Sequence, residues 1–262
     1  MTKSQTVSRA VALGATLAGL SGVVARRSPL LASGLVGVGV FAARAGFARN
    51  HRGFGPVITK GPDGAPRAAL TFDDGPSPAT ATILDDLAAH DAKATFFVLG
   101  RQAERHPDLI RRMVDEGHQV ANHGIDHGIL MFRSATHVRK QLERTQQIVR
   151  EICGEVRMSR YCRAPHGFRG PLTAFGAWRA GYRMVGWTTG VFDSGDPGAA
   201  VIATRTIAAL KPGAVILLHD ADGWDPEHRR DQTAEALPAV LTAARAHGID
   251  LVTLEELLQG TA

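Results

Sequence analysis

Short apolar runs alternate with longer amphipathic stretches from Arg67 to the end of the chain. The apolar runs predict strands at Ala68–Phe72, Ala94–Leu99, Gln119–Asn122, Tyr161–Arg163, Arg183–Trp187, Val215–His219 and Asp250–Thr253. The amphipathic stretches predict helices at Pro78–His90, Pro107–Glu116, Ala135–Ile152, Leu172–Ala180, Gly198–Leu210, Thr233–Ala246 and Leu254–Leu258. Either Asp231 or Thr233 is expected to cap the long late helix. Strand and helix alternate without obvious hairpins, so we expect a parallel sheet, either a TIM-type barrel or a doubly wound sheet.

Two stretches without any charged residue precede this pattern, Ala10–Ala25 and Ser28–Ala43, each of 16 residues. A helix that spans a bilayer needs about 20 residues, so a short transmembrane hairpin and a single anchor both remain open. A third alternative is an export signal that is cleaved near Ala43-Arg44-Ala45. A soluble helical hairpin would show polar faces, which these stretches almost lack, so we favour membrane association.

The distribution of charge supports this interpretation. Residues 1–60 contain eight Lys or Arg and no acid, so the other 22 of the 30 basic residues accompany all 25 acidic ones. A slightly acidic body argues against nucleic acid as a partner, whereas a basic N-terminal segment suits a membrane surface. We therefore divide the chain into a hydrophobic membrane or signal segment (1–49), a Gly/Pro-rich linker (50–66) and a folded domain (67–262). Arginines on both sides of Ser28–Ala43 leave the face of the membrane open.

The two cysteines, Cys153 and Cys162, do not form a disulfide framework. They can be one bridge in an oxidising compartment or two thiols in a reducing one. We expect neither to be a metal ligand.

Ionisable residues follow five of the seven predicted strands, where the active sites of β/α folds lie. These residues are Asp73 and Asp74, His123 and His127, Arg163, Asp193, and His219. Adjacent residues at a strand end point in different directions, so one carboxylate of Asp73-Asp74 can bind a metal while the other faces a substrate water. Alone, the Asp pair would be an ordinary turn before a helix.

The histidine spacing gives the Asp pair more weight. His123 and His127 are four residues apart, which in one helical turn places both rings on one side, suited to one ion. Two His and one Asp leave coordination positions open, as in catalytic rather than structural sites. Arg163 is a candidate partner that keeps a carboxylate ionised, and His219 is a candidate general acid with a raised pKa. We assign no role to His118 and His137.

Five motifs, in this order, resemble the polysaccharide deacetylase family, also called carbohydrate esterase family 4, which includes nodulation-type chito-oligosaccharide deacetylases. They are Thr71–Pro76, His123–His127, Arg163–Gly167, Trp187–Ser194 and Leu217–Asp220, within a match from Arg67 to Leu258. The resemblance implies a distorted (β/α) barrel of about seven parallel strands, here preceded by a hydrophobic helical segment. It also implies a metal-dependent hydrolase that removes an N-acyl group, above all N-acetyl, from an amino sugar.

The resemblance further implies a role for each site residue. Asp74, His123 and His127 would hold a divalent metal, usually zinc, with cobalt, manganese or nickel as alternatives. Asp73 would be the general base and Arg163 its partner. His219 would be the general acid, and Asp193 would adjust its acidity. Substrate contacts would come from the remaining motif residues and one neighbouring aromatic: Pro165, His166, Gly167, Leu217 and Trp224. The backbone near His166 would help to stabilise the oxyanion.

Two positions depart from the family pattern. Gly124 stands where Ser or Thr usually follows the first histidine. The fourth motif reads Gly190-Val191-Phe192-Asp193-Ser194 and lacks the first Asp and the Trp of the usual Asp-x-x-Asp-Trp. That Trp contributes to the pocket for the acyl methyl group. Trp224 is a candidate replacement wall, and an ordinary loop aromatic is an equal alternative.

Three functions remain after these motifs. The first is an N-deacetylase that acts on a polymer or oligosaccharide of N-acetylglucosamine, such as peptidoglycan or a chitin-like chain. The second is a deacetylase or deformylase of a lipid-linked amino sugar at the membrane, which the N-terminal segment favours. The third, a glycan-binding pseudoenzyme, is disfavoured because the core residues are intact. We expect a membrane-associated protein of the cell envelope.

Overall fold

The computed structural model describes residues 50–154, 158–225 and 230–259. The two apolar stretches of the N-terminal segment lie outside these residues. Within the described part of the chain, no helix is both long enough and apolar enough to cross a bilayer.

In the part of the chain that the structure describes, the sheet contains eight parallel strands: β1 Arg67–Asp73, β2 Thr95–Val98, β3 Gln119–Asn122, β4 Tyr161–Cys162, β5 Arg183–Met184, β6 Thr189–Gly190, β7 Val215–His219 and β8 Asp250–Leu251. Seven of them follow the order β5-β4-β3-β2-β1-β7-β6, and β8 pairs with the start of β1. The predicted α/β fold with about seven parallel strands is confirmed as a curved half-barrel.

Eight helices connect the strands within the described residues: α1 Pro78–Ala89, α2 Gly100–Arg105, α3 Pro107–Asp115, α4 Ala135–Cys153, α5 Pro171–Arg179, α6 Ala199–Ala209, α7 Asp231–Ala246 and α8 Leu254–Leu258. The expected cap of α7 by Asp231 or Thr233 is wrong, because the N-cap residue is Arg230. Thr233 instead donates its hydroxyl to Asp193 Oδ2 at 3.0 Å, since that buried carboxylate is a stronger acceptor.

The central strand β1 explains why the site lies where it does. Six of its seven residues are buried, because β2 and β7 flank it and helices cover the sheet. Phe72 of β1 stacks on Phe96 of β2, with ring centroids 5.2 Å apart. This packing holds the carboxyl ends of neighbouring strands at one edge, where polar side chains can meet.

Part of the predicted linker pairs with the barrel. The Ile58 N–H donates to the Met184 carbonyl oxygen at 3.0 Å, and the Ile58 carbonyl oxygen accepts from the Gly186 N–H at 2.7 Å. The Gly61 N–H donates to the Gly213 carbonyl oxygen at 2.8 Å. The backbone near Ile58 therefore lies between β5 and the start of β7.

Candidate metal-dependent active site

Three side chains converge beyond the carboxyl ends of β1 and β3. Asp74 Oδ1 lies 3.3 Å from His123 Nε2 and 3.1 Å from His127 Nε2. One ligand atom from each of the three residues lies within 4.8 Å of the others, and all three residues are buried. A carboxylate and two imidazoles at these distances can hold one metal ion.

The hydrogen bonds around these residues fit such an ion. His123 Nδ1 lies 2.9 Å from the carbonyl oxygen of Arg163, so Nδ1–H donates there and Nε2 is left with a lone pair towards Asp74. Asp74 Oδ1 is buried without a hydrogen-bond donor among the described residues. Burial alone would raise the pKa of Asp74, but His127 and His123 lower it well below its usual range. Burial lowers the pKa of His127, so its ring is neutral, as a ligand requires.

The two histidines meet through a loop rather than a helical turn. Gly124 has φ +88° and His127 has φ 53°, both in the left-handed region. Asn122 Oδ1 accepts from the Gly124 N–H at 2.9 Å and holds this bend. The glycine that departs from the family pattern therefore occupies a position where the backbone favours glycine.

Asp73 faces a different partner from Asp74. Its Oδ1 accepts a 2.6 Å hydrogen bond from Arg163, whose second amino group donates to the Gly186 carbonyl at 2.8 Å. The Arg163 guanidinium also lies 4.1 Å from the centroid of the Phe97 ring and is almost fully buried. A buried arginine with this geometry holds the Asp73 carboxylate in one orientation beside the three-ligand group.

A second pair joins His219, the partly exposed last residue of β7, to the buried Asp193. His219 Nδ1 lies 2.8 Å from Asp193 Oδ1, and the His219 N–H donates to Asp193 Oδ2 at 2.7 Å. Burial alone would lower the pKa of His219, but the Asp193 carboxylate raises it to about 9. The imidazolium is therefore the favoured form at neutral pH, with its Nε2–H directed away from Asp193.

Sequence reasoning missed Asp220 as a residue that organises the site. Its Oδ1 accepts from the Gly75 N–H at 3.0 Å, and its Oδ2 accepts from the Thr80 hydroxyl at 2.6 Å. A Cβ on Gly75 would lie 2.0 Å from Asp220 Oδ2, so the turn after Asp74 admits only glycine. Its position next to His219 is the sequence feature that pointed to Asp220. Its contacts with Gly75 and Thr80 could not be predicted, because they require β7 to lie beside β1.

A loop after β7 also contributes contacts that the sequence did not predict. The Gly223 N–H donates to Asp74 Oδ2 at 3.1 Å, and a Cβ on Gly223 would lie 2.3 Å from His127 Cγ. Arg230 is almost fully buried and donates to Asp222 Oδ2 at 2.6 Å and to Asp196 Oδ1 at 3.0 Å. Arg230 thus ties this loop to the segment that carries Asp193.

An aromatic-walled cleft of about 340 Å³ opens over these groups. Trp224 stacks on His166, with ring centroids 5.2 Å apart and an interplanar angle of 25°. Leu217 and Gly167 line the same cleft, whereas Pro165 is buried and is not part of its lining. The Gly167 N–H donates to the Ala164 carbonyl oxygen at 2.8 Å.

Both cysteines are thiols in the structure. Burial raises the pKa of Cys162 to about 12, and the group of metal-binding side chains found among the described residues contains neither cysteine.

Comparison with known proteins agrees with this site. The sequence model of the polysaccharide deacetylase family matches residues 60–185. The chain is 37% identical over 208 residues to a chitooligosaccharide deacetylase of Sinorhizobium fredii, and the match covers 76% of this chain and 95% of that protein.

Solved structures share the fold as well. The Bc1960 peptidoglycan N-acetylglucosamine deacetylase has a TM-score of 0.71 and 30% identity, covering 78% of this chain and 92% of that one. BA3943, described as a pseudoenzyme of carbohydrate esterase family 4 from Bacillus anthracis, has a TM-score of 0.68 and 25% identity, covering 78% and 69%. The family match, the extent of the sequence identity and the Asp-His-His site show that this chain belongs to the polysaccharide deacetylase family of metal-dependent hydrolases.

Proposed function

We propose that the chain removes N-acetyl groups from oligosaccharides or polymers of N-acetylglucosamine. The observation that carries this proposal is the buried Asp74-His123-His127 group, flanked on either side by the Asp73–Arg163 and His219–Asp193 pairs. An amide needs an activated nucleophile and protonation of its leaving nitrogen, and these two pairs can provide a base and an acid.

The proposed metal is zinc. One carboxylate and two neutral imidazoles form a donor set that zinc prefers in catalytic sites, with cobalt, manganese and nickel as competitors. When bound, such a cation polarises a carbonyl oxygen and lowers the pKa of coordinated water. The chain's contribution is to keep Asp74 ionised and both imidazoles oriented towards it.

Asp73 is the proposed general base. It accepts the proton of the water that attacks the amide carbon, and Arg163 holds its carboxylate in place through the 2.6 Å hydrogen bond. Because Asp73 Oδ2 lies 3.8 Å from His123 Nε2, the base adjoins the ligand group while its other oxygen is bound by Arg163.

His219 is the proposed general acid. It donates a proton to the amide nitrogen as the carbon–nitrogen bond breaks, so the amine leaves in neutral form. Asp193 keeps the ring protonated and turned so that Nδ1 faces away from the cleft.

Trp224 and His166 are the proposed walls for the acyl group and the adjoining sugar. Their stacked rings border the cleft beside His127, with the centroid of the Trp224 ring 5.7 Å from that of His127. A flat aromatic surface suits both a methyl group and the apolar face of a pyranose ring.

The test is acetate release from N-acetylglucosamine oligosaccharides by the purified full chain, with each candidate metal added. We expect activity in wild type and in the surface control His137→Ala, and losses of about 10²-fold or more in Asp73→Asn and His219→Ala. Inactivity of wild type with every metal would favour the pseudoenzyme alternative over catalysis.

A lipid-linked amino sugar is the second candidate substrate, favoured by the two charge-free stretches before residue 50. Membrane association through these stretches and location in the cell envelope are part of this proposal. A reporter fused after Ala262 determines the face of the membrane, because a cytoplasmic C-terminus would exclude wall polymer as substrate. Parallel assays for acetate and formate identify the acyl group.

A further inference from the structure

Helix α5 carries an unusual row of exposed apolar side chains. Leu172, Phe175 and Trp178 are 51%, 47% and 68% exposed and follow one another at intervals of three residues. This spacing places them on one side of the helix. Phe175 and Trp178 stack with centroids 5.7 Å apart, which holds a broad aromatic surface towards solvent. We call these three residues the α5 row.

The opposite side of the same helix is firmly packed. Thr173, Gly176 and Ala177 are buried against α4, and a Cβ on Gly176 would lie 2.6 Å from the Ala135 carbonyl oxygen. The helix therefore cannot rotate its apolar row inward. Within the described residues, seven large apolar side chains are exposed, and three of them form this row.

The surroundings of the α5 row are positively charged. Residues 158–192 contain five arginines and no acid; Arg160, Arg179 and Arg183 are exposed, whereas Arg163 and Arg169 are buried. Arg52, in the segment beside α5, is exposed as well, whereas Lys60 is paired with Asp63. Arg179 lies 5.9 Å from the Phe175 ring, and Arg160 lies beside Gly181, just after the end of the helix. The flanking acid on α4, Glu143, is paired with Arg139 at 3.6 Å.

The N-terminal segment joins the domain beside this helix. Arg169 donates to the His51 carbonyl oxygen at 2.6 Å. A Cβ placed on Gly55 would lie 3.8 Å from Ala174 Cβ, so this part of the backbone passes next to α5. The 49 residues that precede Asn50 hold both charge-free stretches and no acid. A chain anchored through these stretches therefore brings α5 close to the same bilayer.

We propose that the α5 row is a docking surface that lies on a bilayer containing anionic lipids. This inference rests on the membrane association proposed above and extends it to a surface of the folded domain. Aromatic side chains favour the membrane interface, and the surrounding arginines complement anionic headgroups.

Other possible partners of the α5 row complement its positive surroundings less well. A second copy of this face, or the basic N-terminal segment folded back on it, would bring an excess of like charges together, because the flanking Glu143 is already paired with Arg139. A neutral glycan would stack on the aromatic rings but would gain little from Leu172 and no charge attraction from the arginines around the row.

The experiment uses the full chain reconstituted into phosphatidylcholine vesicles with and without phosphatidylglycerol, with brominated lipid as a fluorescence quencher. The chain has three tryptophans, of which Trp187 is buried, so Trp178 and Trp224 are the accessible reporters. We expect quenching in wild type that increases with phosphatidylglycerol and falls several-fold in Trp178→Phe. The matched control Trp178→Phe/Ala88→Trp restores the tryptophan number on exposed Ala88 of α1, which follows β1, three strands away from β4.

The outcomes separate the proposals. Equal quenching of wild type and Trp178→Phe, or quenching restored by Ala88→Trp, would overturn docking through α5. Protection of Trp178 from iodide without vesicles, or by chitooligosaccharide alone, would assign the row to another occupant. Failure of the protein to float with vesicles would overturn both the anchor and the docking surface. Acetate release from soluble oligosaccharides tests catalysis separately and should be unchanged in Trp178→Phe.

Discussion

Asp73 and Asp74 are neighbours in the chain, yet the fold gives their carboxylates separate partners. Asp74 has φ 79°, and this left-handed bend turns its side chain towards His123 and His127 while Asp73 keeps its contact with Arg163. Loss of either carboxylate should therefore have a distinct consequence.

Substitution of each aspartate separates metal binding from proton transfer. We expect Asp74→Asn to lose bound metal, because the amide offers no negative charge to the ion. Asp73→Asn should retain metal and lose about 10²- to 10⁴-fold in activity. Metal content by mass spectrometry and acetate release measure the two effects, and equal metal loss in both variants would contradict the division.

With His219 as the proposed general acid, the His219–Asp193 pair should set the alkaline limit of activity. The acid works in its protonated form, so activity should be present below the folded pKa of about 9 and fall as pH rises through it. Asp193→Asn removes the charge that raises this pKa, so the alkaline limb should move to lower pH. A pH–rate profile measures the shift. Exposed Asp250→Asn is the control, and an unmoved limb in Asp193→Asn would refute the assignment.

Gly223 is a steric requirement of the ligand group. In Gly223→Ala the new Cβ would lie 2.3 Å from His127 Cγ, so the ring or the loop must shift. We expect weaker metal binding and a stability loss of about 1–3 kcal/mol. Gly195→Ala, where a Cβ meets nothing within 4 Å, is the matched control. Metal titration and denaturant unfolding compare the two, and equal behaviour would exclude a special role for Gly223.

At the scale of elements, burial decided which predictions succeeded. The boundaries of β3 and β7 match the predicted ones: β3 is buried throughout, and β7 has four consecutive buried apolar residues. β6 and α2 were missed, since Thr189–Gly190 is two residues long and Gly100–Arg105 is short and polar. The ionisable residues at strand ends could be predicted because the strands that precede them could be recognised. The roles of Gly223 and Arg230 could not be predicted, because their contacts depend on how the loops after β1, β6 and β7 meet.

His118, just before β3, should make the domain sensitive to acid. Its Nδ1 accepts from the Ala94 N–H at 3.2 Å, and burial lowers its pKa to about 4. The folded pKa lies below the unfolded value of 6.5, so this stability is complete above pH 6.5 and is lost as pH falls towards 4. His118→Asn keeps an acceptor without a titrating group.

We expect His118→Asn to reduce the loss of stability between about pH 7 and about pH 4 by up to about 3 kcal/mol. Urea unfolding at both pH values measures it, with His137→Asn as control. Equal acid sensitivity in wild type and His118→Asn would show that other groups dominate.

At the scale of the whole molecule, the ligand group joins distant parts of the chain. Asp74 follows β1 and His123 follows β3, with β2 between these strands in the sheet. A metal ion that binds only this assembled arrangement stabilises the folded state.

Metal removal should therefore lower the melting temperature. At a metal concentration about 100-fold above Kd the stabilisation is about 2.7 kcal/mol, or roughly 5–10 °C for a domain of this size. Thermal unfolding with and without a chelator measures it. Asp74→Asn should show no chelator effect, and an equal shift in that variant would place the stabilising metal elsewhere.

The stacked pair of Trp224 and His166 also matters for enzyme engineering. Trp224 belongs to the loop after β7 and His166 to the segment after β4, while Asp193 belongs to the segment after β6. If Trp224 borders the acyl group as proposed, libraries that vary it should reshape the space for the acyl chain while His219 and Asp193 keep their contact. Acyl-chain preference and reaction chemistry become two properties that can be evolved one at a time.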